Sequence, residues 1–296
     1  AAWQLGAAVV PLCTSHTQKE LQYFVQDSGS AVVVCSQPLE DSVAELGIPT
    51  HVVEKAAQVE GSEAAIFSPV SLTDEMPAMV LYTSGTTGLP KGALHTHGGL
   101  SAMVASLTEA WEYSSADKIL HFLPLHHLHG VLNKLLCTLA AGGHVEFVPS
   151  ARAMDIWRRL FLEGQSIRCG VGVDASPGQA VSMFMAVPTI YAKLLEAADL
   201  IRAGTGDTGA GEPPPLTADQ LDVALLAVNN LRLAVSGSAA MPEPTMQRWS
   251  DLTGGGSDLL LERFGMTEIG MGLSNPYKGR RTPGSVGFPL PGVTVR

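Results

Sequence analysis

Short apolar or β-branched runs alternate with longer stretches of helical period along most of this chain, and that alternation confines it to an α/β architecture. Residues 31–35, 78–81, 119–123, 144–148, 181–187 and 231–235 read as strands. Residues 17–26, 100–111, 131–141 and 153–162 read as helices, as do the stretch from Pro188 to about Ile201 and the one from Pro242 to about Thr253. In 100–111 the apolar residues Leu100, Met103, Val104, Leu107 and Trp111 fall on one helical face. Pro188 suits the first turn of its helix, where a missing N–H costs nothing. Residues 164–179 and 202–217 are rich in small residues, Gly and Pro, and lack an apolar period. They read as surface insertions.

Composition removes several classes of function. Of 296 residues, 46% are hydrophobic and 16% charged, which excludes a wholly disordered chain. The net charge of −10 disfavours a nucleic-acid partner recognised through a broad basic surface. No stretch of 18 residues is uniformly apolar, so no transmembrane helix is expected. The four cysteines, Cys13, Cys35, Cys137 and Cys169, lie far apart and read as buried free thiols. That suits the cytoplasm and the mitochondrial matrix equally. The first residue is not Met, and the last ones read as an extended apolar segment. The expectation is a piece of a longer chain, with any targeting segment upstream.

The feature richest in chemistry is Tyr82-Thr83-Ser84-Gly85-Thr86-Thr87-Gly88-Leu89-Pro90-Lys91-Gly92, directly after a strand. Its glycines let backbone N–H groups approach a ligand, its hydroxyls donate, and Lys91 supplies a point charge. Together these suit a polyphosphate. The P-loop pattern G-x-x-x-x-G-K-[ST] fails here, because Pro90 precedes Lys91 and Gly92 follows it.

This loop resembles the phosphate loop of the adenylate-forming enzymes, which include acyl-CoA synthetases, luciferases and peptide-synthetase adenylation domains. Five further segments resemble motifs of that family in the family's order: Gly6-Ala7-Ala8-Val9-Val10-Pro11-Leu12, Phe122-Leu123-Pro124-Leu125-His126-His127-Leu128-His129-Gly130, Ser236-Gly237-Ser238-Ala239-Ala240, Glu262-Arg263-Phe264-Gly265-Met266-Thr267-Glu268, and Gly284-Ser285-Val286-Gly287-Phe288-Pro289-Leu290-Pro291-Gly292. The resemblance implies an α/β fold with helix-flanked sheets, in which 1–296 form part of the large nucleotide- and acyl-binding domain, truncated at both ends. The small C-terminal domain, the hinge and the ribose-binding Asp would lie outside the chain. It also implies that a carboxylate attacks the α-phosphate of ATP and that coenzyme A then displaces AMP. Thr83, Ser84, Gly85, Thr86, Thr87, Gly88, Leu89, Pro90 and Lys91 would hold the β- and γ-phosphates. Thr267 would meet the α-phosphate and Glu268 would hold Mg²⁺. Phe264 and Gly265 would line the adenine slot, opposite Ser238 and Ala239. Alone, 1–296 would make no acyl-CoA.

His121, His126, His127 and His129 crowd nine residues, but no Cys or carboxylate completes a zinc set at a usual spacing. The resemblance places His127 beside the reacting carboxylate and His129 near the acyl chain, with Ser236 at the pocket floor. The combination of motifs looks most like malonyl-CoA synthetases, so malonate or methylmalonate is the expected acid. Its second carboxylate needs a cationic partner, for which Arg248, Arg232, Arg281 and Arg280 are the candidates, in that order. A medium- or long-chain acyl-CoA synthetase and a catalytically dead nucleotide-binding isoform are the alternatives.

Overall fold

The computed structural model describes residues 1–53, 70–83, 88–148, 150–170, 180–205, 213–255 and 260–296. The chain divides into two compact units, Ala1–Ser101 with Pro124–His127, and Ala102–Leu123 with Leu128–Arg296.

In the first unit, α1 (Gln18–Ser28) opens on a reciprocal cap. Thr17 Oγ1 accepts from the Glu20 N–H, and the Glu20 carboxylate accepts from the Thr17 N–H. Gly29, at φ 63°, closes the helix. The face Leu21, Phe24 and Val25 is buried, and Leu21 and Val25 pack in a small core with Val33 and Cys35. Those two residues lie on β1 (Val33–Ser36), which pairs in parallel with β2 (Thr50–Val53), and a short α2 (Glu40–Val43) lies between them in sequence. A hairpin of β3 (Pro77–Thr83) and β4 (Lys91–Thr96) completes this unit. Helix α3 (His97–Trp111) leads out of it.

The second unit carries a seven-stranded sheet. Its elements in chain order are β5 (Lys118–His121), a π-helical stretch His129–Leu136 continuing into α4 (Cys137–Ala140), β6 (His144–Phe147), α5 (Ala153–Arg168), β7 (Met183–Ala186), α6 (Pro188–Ala203), α7 (Ala218–Asn229), β8 (Leu233–Ser236), α8 (Glu243–Thr253), β9 (Leu260–Met266), β10 (Gly270–Ser274) and β11 (Phe288–Pro289). The strand order is β11-β10-β9-β8-β7-β5-β6. The five strands from β6 to β9 are parallel, and β10 and β11 are antiparallel additions at the edge. The core packs Trp157, Phe184, Tyr191 and Trp249 between sheet and helices. The chain moves outward from β5 to β6 and then returns to the other side of β5 at β7. The strand order therefore reverses between β5 and β7, and in open sheets of this kind ligands usually bind at the carboxyl ends of the strands beside such a reversal.

Several elements differ from the sequence reading. The helix expected over 131–141 starts two residues earlier and is a π-helix for most of its length. Side chains reach into its backbone ladder: His121 Nε2 lies 3.0 Å from the Gly130 carbonyl, and Tyr113 Oη donates to the Asn133 carbonyl at 2.6 Å. Helix α5 runs to Arg168, through the first five residues of what reads as an insertion. Gly164 is not a break there but a close approach, since a Cβ at this position would lie 1.9 Å from the Val223 carbonyl oxygen on α7. The second expected insertion gives way at Thr217, whose side chain caps α7 in a box with Gln220. Residues 171–179 and 206–212, within these two stretches, lie outside the described residues. All four cysteines are free, but only Cys35 and Cys137 are buried; Cys13 is half-buried and Cys169 exposed. Among the described residues, no helix is long and apolar enough to cross a membrane.

The α5–α7 contact yields a direct prediction. Gly164→Ala forces backbone apart at a buried crossing and is expected to cost about 1–3 kcal/mol, despite alanine's better helix propensity. Thermal unfolding of the two proteins measures it; a higher Tm for the alanine protein would contradict the packing argument.

Candidate functional site

In the first unit the phosphate-loop residues sit at the end of a hairpin. Thr83 and Lys91 are the last cross-strand pair, and Thr83 Oγ1 lies 3.4 Å from the Lys91 carbonyl. Gly88, Leu89 and Lys91 are exposed and Pro90 is half-buried. Ser84, Gly85, Thr86 and Thr87 lie outside the described residues. Beside Gly88–Gly92 is an open cleft of about 570 Å³, walled on its other side by Tyr23 and Asp27 of α1. His127 is also in this unit, exposed, with its ring centroid 4.3 Å from that of His126. His16 lies on the far side of His126, at 5.7 Å. Burial and repulsion from His127 and His16 push His126 down to about 4. Burial and His16 lower His127 as well.

In the second unit the carboxyl ends of β8 and β9 carry the segments 236–240 and 262–268 to one edge of the sheet. In the registered row of parallel strands, Ala186 faces Ser236 and Ser236 faces Glu262. Beyond that row the chain turns at Gly237-Ser238-Ala239-Ala240, where Ser238 holds φ 72°, a left-handed conformation that costs a non-glycine residue roughly 1–2 kcal/mol. The Glu262 carboxylate ties the motifs together, accepting from the Met241 N–H at 3.3 Å and the Gly284 N–H at 2.9 Å. Thr267 and Glu268 form the turn of the β9–β10 hairpin, with Thr267 half-buried and Glu268 exposed. Phe264 is 42% exposed. Gly265 must be glycine, because a Cβ there would meet the Gly270 carbonyl at 2.6 Å.

At this edge the structure buries polar groups without partners. Arg263 is buried, and its guanidinium lies across Gly237, where a Cβ would come within 2.3 Å of Nε. Its Nη2 lies 3.3 Å from Ser238 Oγ, its Nε has no partner, and no carboxylate pairs with it among the described residues. Burial lowers its pKa to about 10, which leaves it charged at neutral pH. His129 Nδ1 lies 3.4 Å from the same Ser238 Oγ, while His129 Nε2, Ser236 Oγ and both amide atoms of Asn133 are buried without partners. Burial, then the nearby Arg263 and Lys134 charges, holds His129 far below the usual imidazole range. Lys134 is fully buried, donates to the Met185 carbonyl at 3.0 Å and lies 3.7 Å above the Phe122 ring. The cluster therefore holds donors and acceptors that lack partners within the protein, together with one cation, Arg263, that has no carboxylate partner among the described residues.

The arginines named from sequence sit elsewhere. Arg232 stands at the amino end of β8, the opposite end from Ser236, and forks onto Asp117 at 2.6 and 2.7 Å. Burial raises the Asp117 carboxyl, but hydrogen bonds from Arg232, Ser182 and Ser114 outweigh it and leave the pKa lowered. Arg248 pairs with Asp199 on the exposed faces of α8 and α6. Arg281 is buried and donates to the Pro276 and Tyr277 carbonyls, so it shapes its own loop. Arg280 is exposed. Sequence reasoning passed over Arg263 and Lys134. A charged pair, Glu262-Arg263, directly after the apolar Leu260-Leu261 of a strand was the available signal for the first. Among the described residues, no group of three His, Cys, Asp or Glu side chains is arranged to hold a metal ion.

Comparison with known proteins decides the family. The AMP-binding enzyme family matches residues 1–296. The chain belongs to that family. Malonate–CoA ligase ACSF3, mitochondrial, of Mus musculus is 41% identical over 304 residues, covering 100% of this chain and 47% of the mouse protein. A malonate–CoA ligase of Arabidopsis thaliana is 36% identical over 305 residues, covering 99% and 46%. Among solved structures, a malonyl-CoA ligase ternary product complex with methylmalonyl-CoA and AMP bound aligns at a TM-score of 0.75 and 30% identity, over 98% of this chain and 53% of that one. ATP-bound MatB from Rhodopseudomonas palustris aligns at 0.72 and 32%, over 98% and 50%. The chain thus spans about half the length of the curated relatives it matches. Its sheet is the α/β fold of this AMP-binding family member. The loop motif lies at the β3–β4 hairpin, and the segments 122–130, 236–240 and 262–268 lie at or follow the carboxyl ends of β5, β8 and β9. Val9 of the 6–12 segment bridges Met79 of β3, and 284–292 contains the edge strand β11.

The buried imidazoles set a pH dependence. His121, like His126, is pushed down to about 4, in its case by burial first. An unfolded imidazole takes its proton near pH 6.5. Between about pH 6.5 and 4 the unfolded chain therefore binds more protons than the folded one, and stability falls as pH falls. Tm is expected to hold steady above pH 7 and to drop from pH 6.5 downward, with a shallower drop in His121→Gln. A Tm that is flat or rising on acidification through this window would contradict the assignment.

Proposed function

We propose that the intact protein carrying this chain activates malonate, or its methyl-substituted form, as an acyl-adenylate and transfers the acyl group to coenzyme A. The observation that carries the reading is Arg263: a buried, charged guanidinium with no carboxylate partner among the described residues, facing Ser238 and His129 at the sheet's carboxyl edge. A buried charge without a counter-charge costs several kcal/mol unless a ligand supplies one. A monocarboxylate would give its single carboxylate to the α-phosphate and leave Arg263 unmatched. A dicarboxylate meets both needs.

In this reading one malonate oxygen attacks the α-phosphorus of ATP, the bond to the β-phosphate oxygen breaks, and pyrophosphate leaves. The thiol of coenzyme A then attacks the acyl carbon and AMP departs. Positioning and charge neutralisation do most of this work. The hydroxyl and N–H groups of Thr83 to Gly88 and the Lys91 ammonium take the outer phosphates, and Thr267 takes the α-phosphate. Phe264 and Gly265 flank the adenine opposite Ser238 and Ala239. Glu268, exposed in the hairpin turn and without a cationic partner among the described residues, fits as an oxygen donor to Mg²⁺. That ion supplies charge neutralisation on the phosphates. His129 and Ser236 are assigned to the acid pocket, and the motif assigns His127 to the reacting carboxylate. The names of the vertebrate relatives make the mitochondrion the proposed compartment, which a fluorescent fusion of the full-length protein tests.

Pyrophosphate release by the full-length enzyme, with malonate, methylmalonate, acetate and palmitate in parallel, tests the function. Malonate or methylmalonate should win. In Arg263→Leu the malonate KM should rise by about 100-fold, the loss expected for a charge-assisted fork of about 3 kcal/mol, while acetate is less affected. Unchanged malonate kinetics in that variant would remove the argument.

A further inference from the structure

The stem of the phosphate loop is gripped from outside the hairpin. Tyr23 Oη, on α1, donates to the Pro90 carbonyl at 2.7 Å, across 67 positions of sequence. Pro90 has no N–H, and the ladder between β3 and β4 ends at the Thr83–Lys91 pair. The Pro90 carbonyl belongs to the same planar peptide unit as the Lys91 N–H. Fixing that oxygen therefore fixes the plane from which the Lys91 side chain departs. The other stem is tied to the same helix, since Tyr82 Oη donates to Asp27 Oδ2 at 2.7 Å. The rings of Tyr23, Phe24 and Tyr82 pack edge-on or tilted between the two ties. A Cβ on Gly92 would lie 2.9 Å from Val80 Cγ1 and 3.2 Å from Tyr82 Cζ, so the backbone just past Lys91 is pressed against β3. Helix α1 is itself rigidly placed, capped by Thr17 and Glu20 and anchored by Leu21 and Val25.

We propose that Tyr23 is a positioning residue for Lys91: its hydroxyl orients the Pro90–Lys91 peptide so that the lysine ammonium meets the outer phosphates of the nucleotide. This rests on the reading of the loop as the nucleotide site given above. It predicts an effect on nucleotide and not on acid, and an effect that acts only through Lys91.

The test uses the full-length protein and four forms: parent, Tyr23→Phe, Lys91→Ala and the double variant. Phenylalanine keeps the ring packing and removes only the hydroxyl. ATP affinity is measured by calorimetry without any acid, so it stands whatever the acid proves to be. Tyr23→Phe should weaken ATP binding and raise the ATP KM by roughly three- to tenfold, the worth of one hydrogen bond, with the malonate KM unchanged. In the Lys91→Ala background the same substitution should have no further effect. An unchanged ATP affinity in Tyr23→Phe, an equal rise in both KM values, or full additivity with Lys91→Ala overturns the proposal. A parent that binds ATP but releases no pyrophosphate with malonate would overturn the substrate reading and leave this comparison intact.

Discussion

Parallel pairing of β8 with β9 is the constraint on which the proposed acid site depends. Because the two strands run the same way and meet at Ser236 and Glu262, the turn after one and the strand end of the other emerge side by side. That single register brings Ser238 to Arg263, lays the guanidinium over Gly237, and lets the Glu262 carboxylate hold both Met241 and Gly284. A slip of one residue would exchange the faces of Glu262 and Arg263 and dismantle all of these contacts together. The neighbouring reversal of strand order lies between β5 and β7, and the π-helix follows β5 directly in the chain.

That helix is held by unusual means. A π-helix leaves its backbone less well matched than an α-helix, and here side chains make up the difference. His121 bonds the Gly130 carbonyl and Tyr113 the Asn133 carbonyl, while Lys134 reaches from the π-helix to the Met185 carbonyl of β7. None of these is the cheapest way to fill a core, since each brings a polar group into a dry region. Their common result is a fixed position for His129, whose Nδ1 faces Ser238 and whose Nε2 stays unpartnered. His129, Asn133, Ser236 and Arg263 each leave a buried polar atom without a partner in this region, while others, such as Trp249 Nε1 in the core, lie elsewhere.

Much of this was legible in the sequence because local chemistry is explicit there. The apolar face Leu21, Phe24 and Val25 marks α1 and Ser28-Gly29 its end, and the glycine–hydroxyl run before Lys91 is a loop by composition alone. Four of the five parallel strands of the second unit, β5 to β8, were found to within two residues at their ends, whereas β9 was not read as a strand. What escaped depends on contacts distant in sequence. Gly164 reads as a helix breaker, and only the approach of Val223 shows that it is a packing residue. The π-helix has the apolar pattern of an ordinary helix. Arg232, Arg248 and Arg281 could be ranked only by nearness to motifs, because their partners Asp117, Asp199 and the Pro276 and Tyr277 carbonyls are set by the fold. Arg263 was inside a recognised motif whose other residues drew the attention.

The central claim is that the uncompensated guanidinium at the end of β9 exists to meet a carboxylate of the substrate. A crystal structure of the full-length protein with malonate and AMP tests it most directly. The account predicts a malonate oxygen within hydrogen-bond distance of Arg263, with Ser238 and His129 at the same carboxylate. Malonate held by other residues, or Arg263 paired with a carboxylate of the protein itself, would contradict it.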